Sequence, residues 1–261
     1  MTDNAANEFR KLVDVVAKLR GDDGCPWDKQ QTHESLRKFV IEETYEVVEA
    51  VDRGEDSKLK EELGDLLLQT LLHARIAEER GAFDAADVCR AIREKLLRRH
   101  PHVFGDVKVA GVDEVLHNWE EIKAGEPGYE DRQSVLDGVP KSLPALVRAS
   151  EMSKRAAKVG FEWPDISGVL DKLREETGEL LEAIEAARPD EIKREIGDLL
   201  FVIVNIARFV GVDPEESLRE MLKRFSSRFR QIEERAKSTG RGVSEMTLAE
   251  MDAIWDEAKN G

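Results

Sequence analysis

The chain has 261 residues, which is more than one domain of about 100–200 residues and enough for two small cores, so internal duplication is the first possibility to test. Its 55 acidic and 40 basic residues give a net charge of −15, which disfavours proteins that bind nucleic acid or anionic lipid through a bare cationic surface. A phosphate-bearing partner would need a metal ion between itself and the protein. With 41% hydrophobic and 36% charged residues, the composition excludes a disordered chain and is typical of long amphipathic helices.

The cysteines and the amino terminus indicate the compartment. Cys25 and Cys89 cannot form a disulfide framework, and neither belongs to a Cys-x-x-Cys pair, so we expect a reducing environment. The amino terminus lacks the cationic start and apolar middle of a signal peptide. The most apolar run, residues 199–204, is far shorter than the roughly 18 residues of a membrane span. The sequence predicts a cytoplasmic protein with no membrane partner.

Apolar residues recur at helical spacing over most of the chain, at 36–51, 59–76 and 173–184. One stretch, residues 103–109, has the alternation and the Gly-Asp centre of a small β-hairpin. Glycines and prolines concentrate between 125 and 144 and would break helices there. We therefore predict an all-α protein with at most one small hairpin, made of a first module at 1–124, a linker at 125–145 and a second module at 146–261.

The two halves repeat one acidic motif. Glu42-Glu43-x-x-Glu46 is followed by Glu62-x-Gly-Asp65-Leu-Leu, and the same pattern returns in the second half with all five acids offset by 133 residues: Glu175, Glu176, Glu179, Glu195 and Asp198. Positions three apart share one face of a helix, so two such helices packed antiparallel would bring four carboxylates together. The sequence is thus interpreted as a tandem repeat of two helical-bundle modules.

The clustered acids predict a metal site. Several unneutralised anions beside apolar residues would repel one another, and a divalent cation resolves the conflict. Oxygen-only ligation favours Mg²⁺, Mn²⁺ or Ca²⁺ over zinc. A single Glu-Glu-x-x-Glu would be interpreted as a solvated helix face, but its duplication at fixed spacing favours metal binding. The candidate ligands are four in each module: Glu43, Glu46, Glu62 and Asp65, and then Glu176, Glu179, Glu195 and Asp198.

The distribution of histidine limits the chemistry. All five histidines lie in the first half, so hydrolysis in the second module would use a metal-activated water with help from a glutamate. A di-iron bundle would need two Glu-x-x-His motifs, and only one is present, at Glu114 and His117.

Basic residues recur in the same way. Arg224 and Arg228 lie four apart, as do Lys95 and Arg99, so each pair could meet phosphate oxygens, although surface ion pairing is the alternative. Trp255 lies one helical turn before Lys259, which suits a nucleobase and a phosphate but equally suits a core anchor and a solvated lysine.

These motifs resemble the MazG family of nucleoside triphosphate pyrophosphohydrolases in its two-module bacterial form. The resemblance covers nearly the whole chain. It includes the two acidic motifs and three further stretches, CPWDKQQTH at 25–33, HPHVFGD at 100–106 and KVGFEW at 158–163.

The resemblance implies an all-α homodimer that uses Mg²⁺, with Mn²⁺ as a possible substitute, to hydrolyse a nucleoside triphosphate to the monophosphate and pyrophosphate. It assigns the metal to Glu176, Glu179, Glu195 and Asp198, and makes Glu175 a ligand or base, so that the catalytic set is Glu175, Glu176 and Glu179. Substrate contacts would come from Lys158, Arg224, Arg228, Trp255 and Lys259. In relatives the second module carries most of the activity, whereas here the first module also keeps its acids. Lysine at position 95, where the second copy has Arg224, is a departure.

Two alternatives remain open at this point. One is a helical regulatory or binding protein in which the acids hold a structural cation. The other is a pyrophosphohydrolase specific for one modified or biosynthetic nucleotide, such as phosphoribosyl-ATP.

Overall fold

The structure, a computed structural model, describes residues 2–126 and 133–260. The chain divides into two compact units, residues 1–129 and 130–261. The described residues contain twelve α-helices, one short 3₁₀ turn and no strand, so the predicted all-α fold is confirmed. The module boundaries at 124 and 146 stay a prediction, and residues 127–132 of the predicted linker lie outside the described residues.

The first unit is built around a hairpin of two long helices. Its helices are α1 (Thr2–Arg20), α2 (Pro26–Gln30), α3 (His33–Arg53), α4 (Asp56–Glu78), α5 (Ala85–Arg99), α6 (Pro101–Phe104) and α7 (Val112–Ala124). Helices α3 and α4 pack along each other, and α1 packs on α4. The core between them consists of Val16, Leu36, Leu71, Leu72 and Ile76.

Local signals set the two ends of α3. At its start Thr32 accepts a hydrogen bond from Ser35 N at 3.2 Å, and the Thr32 N–H donates to Ser35 Oγ at 3.0 Å. This reciprocal cap satisfies backbone donors that the first turn of a helix leaves unpaired. At its end Gly54 adopts φ = 66°, a left-handed conformation that glycine tolerates without a steric cost. The chain then reverses directly into α4.

The second unit repeats the hairpin. Its helices are α8 (Ala145–Lys158), α9 (Ile166–Glu185), α10 (Pro189–Phe209), α11 (Pro214–Ser238) and α12 (Leu248–Asn260), with the 3₁₀ turn at Val243–Glu245. Helices α9 and α10 pack along each other, α8 packs on α10 and α11, and α12 packs on α11. A buried polar link joins α8 to α10, since Ser153 Oγ donates to Asn205 Oδ1 at 2.6 Å.

The small hairpin considered for residues 103–109 does not form. Pro101 begins α6, because its fixed backbone angle suits the first position of a helix and its missing N–H is not needed there. The amides of Val103 and Phe104 donate to His100 O at 2.9 and 3.0 Å. The first part of the stretch is therefore helical. Within residues 2–126 and 133–260, every helix is too short or too polar to span a lipid bilayer.

Candidate metal centre

The acids of the second unit converge where α9 faces α10. Glu176 and Glu179 lie one turn apart on α9, and Glu195 lies on α10. Carboxylate oxygens of these three residues lie within 4.8 Å of one another, and Glu176 is only 5% exposed. Asp198 lies outside this trio, but its negative charge acts on Glu195. Three oxygens at this separation can coordinate one divalent cation.

The electrostatics of Glu195 show what this proximity costs without a cation. Burial raises the pKa of the Glu195 carboxyl above its ordinary value, and the charge of Glu179 and a hydrogen bond with Glu176 raise it further. The ionised form is therefore disfavoured in the folded chain. A divalent cation would remove this penalty, because it neutralises the carboxylates that repel one another.

A lysine lies at the edge of the same cluster. Lys172 Nζ is 2.6 Å from Glu176 Oε1 and 2.7 Å from Glu175 Oε1. The hydrogen bond to Glu175, followed by that to Glu176, raises the pKa of the Lys172 ammonium. Sequence reasoning missed this residue. The signal was present, because a lysine four residues before a motif glutamate lies on the same helix face.

The first unit repeats the arrangement between α3 and α4. Carboxylate oxygens of Glu43, Glu62 and Asp65 lie within 4.8 Å of one another, and Glu62 is 1% exposed. Glu46 lies outside the trio, and its hydrogen bond with Glu62 is the main reason why its pKa is raised. Lys58 Nζ is 2.5 Å from Glu62 Oε1, and sequence reasoning missed this lysine as well.

Burial also dominates at Glu43. It raises the pKa of the Glu43 carboxyl, and the charges of Asp65 and Glu46 raise it further. Both units thus hold carboxyl groups whose ionisation is disfavoured by their surroundings. In both units the oxygen ligands suit a hard divalent cation.

The predicted substrate contacts of the second unit are partly assembled. The guanidinium carbon of Arg228 lies 5.5 Å from the ring centre of Trp255, which also packs against Phe225 at 5.2 Å. Arg224 pairs with Glu220 at 3.5 Å, which is the surface ion pair that was the alternative for this arginine. Lys259 pairs with Asp256 at 2.8 Å. The last predicted contact, Lys158, is exposed at the end of α8.

The first unit has the same cation–aromatic pair. The guanidinium carbon of Arg99 lies 5.0 Å from the ring centre of Trp119, and Lys123 Nζ lies 5.1 Å from it. The geometry therefore repeats along with the sequence.

A family model described as "MazG nucleotide pyrophosphohydrolase domain" matches residues 31–104 and 166–232, more than half of the chain. This chain belongs to the MazG family. Each matched range contains one of the acid trios. The resemblance predicted from the motifs is confirmed, and so is the prediction that the chain is an enzyme of this hydrolase family.

Similar proteins match over almost the full length. The chain is 46% identical over 253 residues to a "Nucleoside triphosphate pyrophosphohydrolase/pyrophosphatase MazG" of Thermotoga maritima, with 97% of this chain and 96% of the relative covered. It is 41% identical over 256 residues to a "Nucleoside triphosphate pyrophosphohydrolase" of Escherichia coli K12, with 97% of both chains covered. A crystal structure of a mazG-related protein from Thermotoga maritima is 30% identical and matches with a TM-score of 0.38, over 44% of this chain and 97% of that one.

Proposed function

We propose that this MazG chain hydrolyses a nucleoside triphosphate to the nucleoside monophosphate and pyrophosphate, with Mg²⁺ as cofactor and Mn²⁺ as a possible substitute. The observation that carries the proposal is the trio of Glu176, Glu179 and Glu195, whose carboxylate oxygens lie within 4.8 Å of one another. The names of the two relatives that match over almost their full length support the substrate class.

The acids of the second unit have distinct roles in this proposal. The trio and Asp198 would hold Mg²⁺, which when bound would neutralise phosphate oxygens and make a water more acidic. Glu175, beside the trio and 2.7 Å from Lys172, would accept the proton of the attacking water. The water oxygen forms a bond to the α-phosphorus, the bond to the bridging oxygen breaks, and pyrophosphate leaves with that electron pair.

The cationic and aromatic residues would bind the substrate. Arg224 and Arg228 lie one turn apart on α11, so both can reach the same group of phosphate oxygens. Lys158 and Lys259 would add positive charge, and Trp255 would stack on the base. Because every base has an aromatic face, stacking alone gives weak base selectivity.

The first unit would bind metal but contribute less to turnover. Glu43, Glu46, Glu62 and Asp65 are its proposed ligands, and three of them form the second trio. We propose that this unit serves assembly and stability more than catalysis. Truncated proteins that end near residue 138 or begin near residue 143 would test this, and full activity from the amino-terminal piece would contradict it.

Exposed apolar side chains on the acid-bearing hairpin of the second unit support a homodimer. Leu181 and Ile184 on α9, and Ile196, Leu200 and Ile203 on α10, are all exposed. A second copy would remove this surface from water, as most soluble oligomers are homo-oligomers with closed symmetry. Analytical ultracentrifugation of the wild type and of Leu200→Glu tests the proposal. A monomeric wild type would contradict it.

A product-resolved assay tests the reaction. The wild type is incubated with each triphosphate and Mg²⁺, beside Glu176→Ala and the matched control Glu182→Ala, which removes an exposed glutamate of the same helix. We expect monophosphate and pyrophosphate from the wild type and the control, and at least about 100-fold less from Glu176→Ala.

Three results would contradict parts of the proposal. Orthophosphate and diphosphate as products would exclude the reaction. Unchanged turnover in Glu176→Ala with altered folding would favour the regulatory protein with a structural cation. Turnover of only one nucleotide in a competition panel would favour a specialised pyrophosphohydrolase.

A further inference from the structure

Glu126 lies two residues beyond the end of α7 and is bound by two neighbouring arginines of α5. Arg98 Nε and Nη2 donate to Glu126 Oε1 at 3.1 and 2.7 Å. Arg99 Nε donates to the same oxygen at 3.0 Å, and Arg99 Nη2 donates to Oε2. The carboxylate thus accepts four charge-assisted hydrogen bonds, and Glu126 is only 9% exposed. This is the arrangement in which guanidinium groups also bind phosphate.

One of these arginines has a counterpart in the second unit. Arg99 corresponds to Arg228 when the repeats are aligned on Lys95 and Arg224, and each arginine lies over a tryptophan, at 5.0 Å in the first unit and 5.5 Å in the second. Arg228 is a proposed phosphate contact. In the first unit the equivalent group already has a carboxylate ligand.

The two units differ at this point. The residue that corresponds to Arg98 is Ser227, so the second unit lacks the double arginine. Within the described part of the second unit, residues 133–260, no carboxylate pairs with Arg228. The pair of arginines that binds one anion is therefore a feature of the first unit. The anion that it binds is the carboxylate of Glu126, a residue of the same chain.

We propose that Glu126 is an internal substitute for phosphate, which occupies the arginines of the first unit and must leave before a triphosphate can bind there. The inference rests on the proposed function, because that function makes Arg228 a phosphate contact and Arg99 its counterpart. It also gives a reason why the first unit would contribute less to turnover although its acids are intact. A substrate there would have to compete with a tethered carboxylate.

Protonation does not release this contact near neutral pH. The hydrogen bonds from Arg99 and Arg98 lower the pKa of the Glu126 carboxyl to about 2, so the group stays ionised. Release therefore requires a competing anion or movement of the chain segment that carries Glu126. A competing phosphate compound would therefore release Glu126 from the two arginines, whereas a change of pH near neutrality would not.

Binding of inorganic triphosphate tests the inference in the full chain. The parent carries Glu176→Ala and Arg228→Ala, which remove proposed metal and phosphate contacts of the second unit. Into it Glu126→Gln is introduced, which keeps the shape of the side chain and removes its charge. The control is Glu121→Gln, which makes the same change of charge at an exposed residue of α7 that lies 3.4 Å from His117.

We expect Glu126→Gln to tighten Mg²⁺–triphosphate binding by about tenfold or more in calorimetric titration, and Glu121→Gln to leave it unchanged. A second variant removes the carboxylate and keeps both arginines: Glu126→Ala should also tighten binding, because Arg98 and Arg99 lose their internal anion. It provides the test if Glu126→Gln does not fold.

A purely structural contact would give a different result. Lower thermal stability without tighter binding in either folded variant, or equal tightening by Glu121→Gln, would overturn the inference. The proposed reaction fails separately. If the wild type releases pyrophosphate but neither variant binds triphosphate more tightly, only the inference falls, and if binding tightens but no form of the protein hydrolyses a triphosphate, only the reaction falls.

Discussion

Lys58 and Lys172 reach the acid trios of their units from different helices. Lys58 lies on α4, the second helix of its hairpin, four residues before Glu62. Lys172 lies on α9, the first helix of its hairpin, four residues before Glu176. The positions 133 residues away from each lysine hold other residue types, so the two lysines did not arise as copies of one another. Each trio nevertheless has an ammonium group against its most buried carboxylate. A buried carboxylate without a positive partner destabilises the fold, and a lysine on either helix of the hairpin can provide that partner.

Replacing Lys172 by methionine should strengthen metal binding. The ammonium and a divalent cation compete for the Glu176 carboxylate, so removing the ammonium favours the metal ion. The lysine is about one-third exposed, and a screened ion pair of this kind is worth about 0.2–1 kcal/mol. We expect the Mg²⁺ concentration that gives half-maximal thermal stabilisation to fall by up to about fivefold.

Lys154→Met is the control for this substitution. It removes an exposed lysine of α8 that pairs with Glu151 at 3.1 Å, outside the hairpin that carries the motif acids. Weaker Mg²⁺ binding by Lys172→Met, or an equal effect in the control, would contradict the competition.

Glu195→Gln should stabilise the protein in a chelator and abolish its stabilisation by Mg²⁺. The pKa of Glu195 is raised in the folded chain, so its ionised form opposes folding. Below the ordinary pKa of 4.5 the acid is protonated in both states and the variant has no advantage. The advantage grows as pH rises from the ordinary pKa to the raised pKa and then stays constant.

Thermal melts at a series of pH values in EDTA, and again in Mg²⁺, provide the measurement. Glu191→Gln, earlier on the same helix, is the control. If the wild type were more stable than Glu195→Gln at neutral pH without metal, the ionised Glu195 carboxylate would not be destabilised by burial and by the neighbouring acids.

Trp255→Leu should raise the KM for nucleoside triphosphates with little change in kcat. Stacking of a base on an aromatic ring is worth about 1–3 kcal/mol, which corresponds to an increase of roughly 5- to 150-fold. Trp255→Phe should retain most of the affinity, because phenylalanine keeps an aromatic face. Inorganic triphosphate is the matched control ligand, since it has no base. Equal losses for both ligands would indicate that Trp255 only supports the packing of Phe225 and Arg228.

Ser153→Ala should destabilise the second unit. Ser153 Oγ donates to Asn205 Oδ1 at 2.6 Å and accepts from Arg208 Nε at 2.8 Å, so the substitution leaves two partners without this oxygen. An unsatisfied buried polar group costs about 1–3 kcal/mol, and we expect the free energy of unfolding to fall by that amount in urea titrations. Ser150→Ala, at a buried serine whose side chain makes no hydrogen bond within the described residues, should have a smaller effect. Equal effects would contradict the role of the network.

The acids show how far sequence reasoning reaches. Spacing on a helix predicts which carboxylates share a face, and the structure does bring three from each motif within 4.8 Å of one another. Spacing does not fix side-chain torsions, and this is why Glu46 and Asp198 lie outside the trios. Their role as ligands stays a prediction. The helices themselves were predictable because apolar residues recur at helical spacing.

The features that were missed depend on contacts that periodicity does not encode. The hairpin that was possible at 103–109 does not form, because Pro101 and the carbonyl of His100 start a helix before the alternating residues can pair. Glu126 was passed over because its neighbours were interpreted only as helix breakers. Its partners precede it by 27 and 28 residues, and a contact over that distance leaves no periodic signal.

The turns between the acid-bearing helices have a consequence for how the sites assemble. Only residues 54–55 separate α3 from α4, and only residues 186–188 separate α9 from α10. A trio thus forms from neighbours in the chain, and closing so short a loop sacrifices little conformational entropy. Low contact order of this kind favours fast folding. We expect each hairpin to be able to capture its cation while the later helices of the unit are still unfolded, so that the ion would act as a folding nucleus as well as a cofactor.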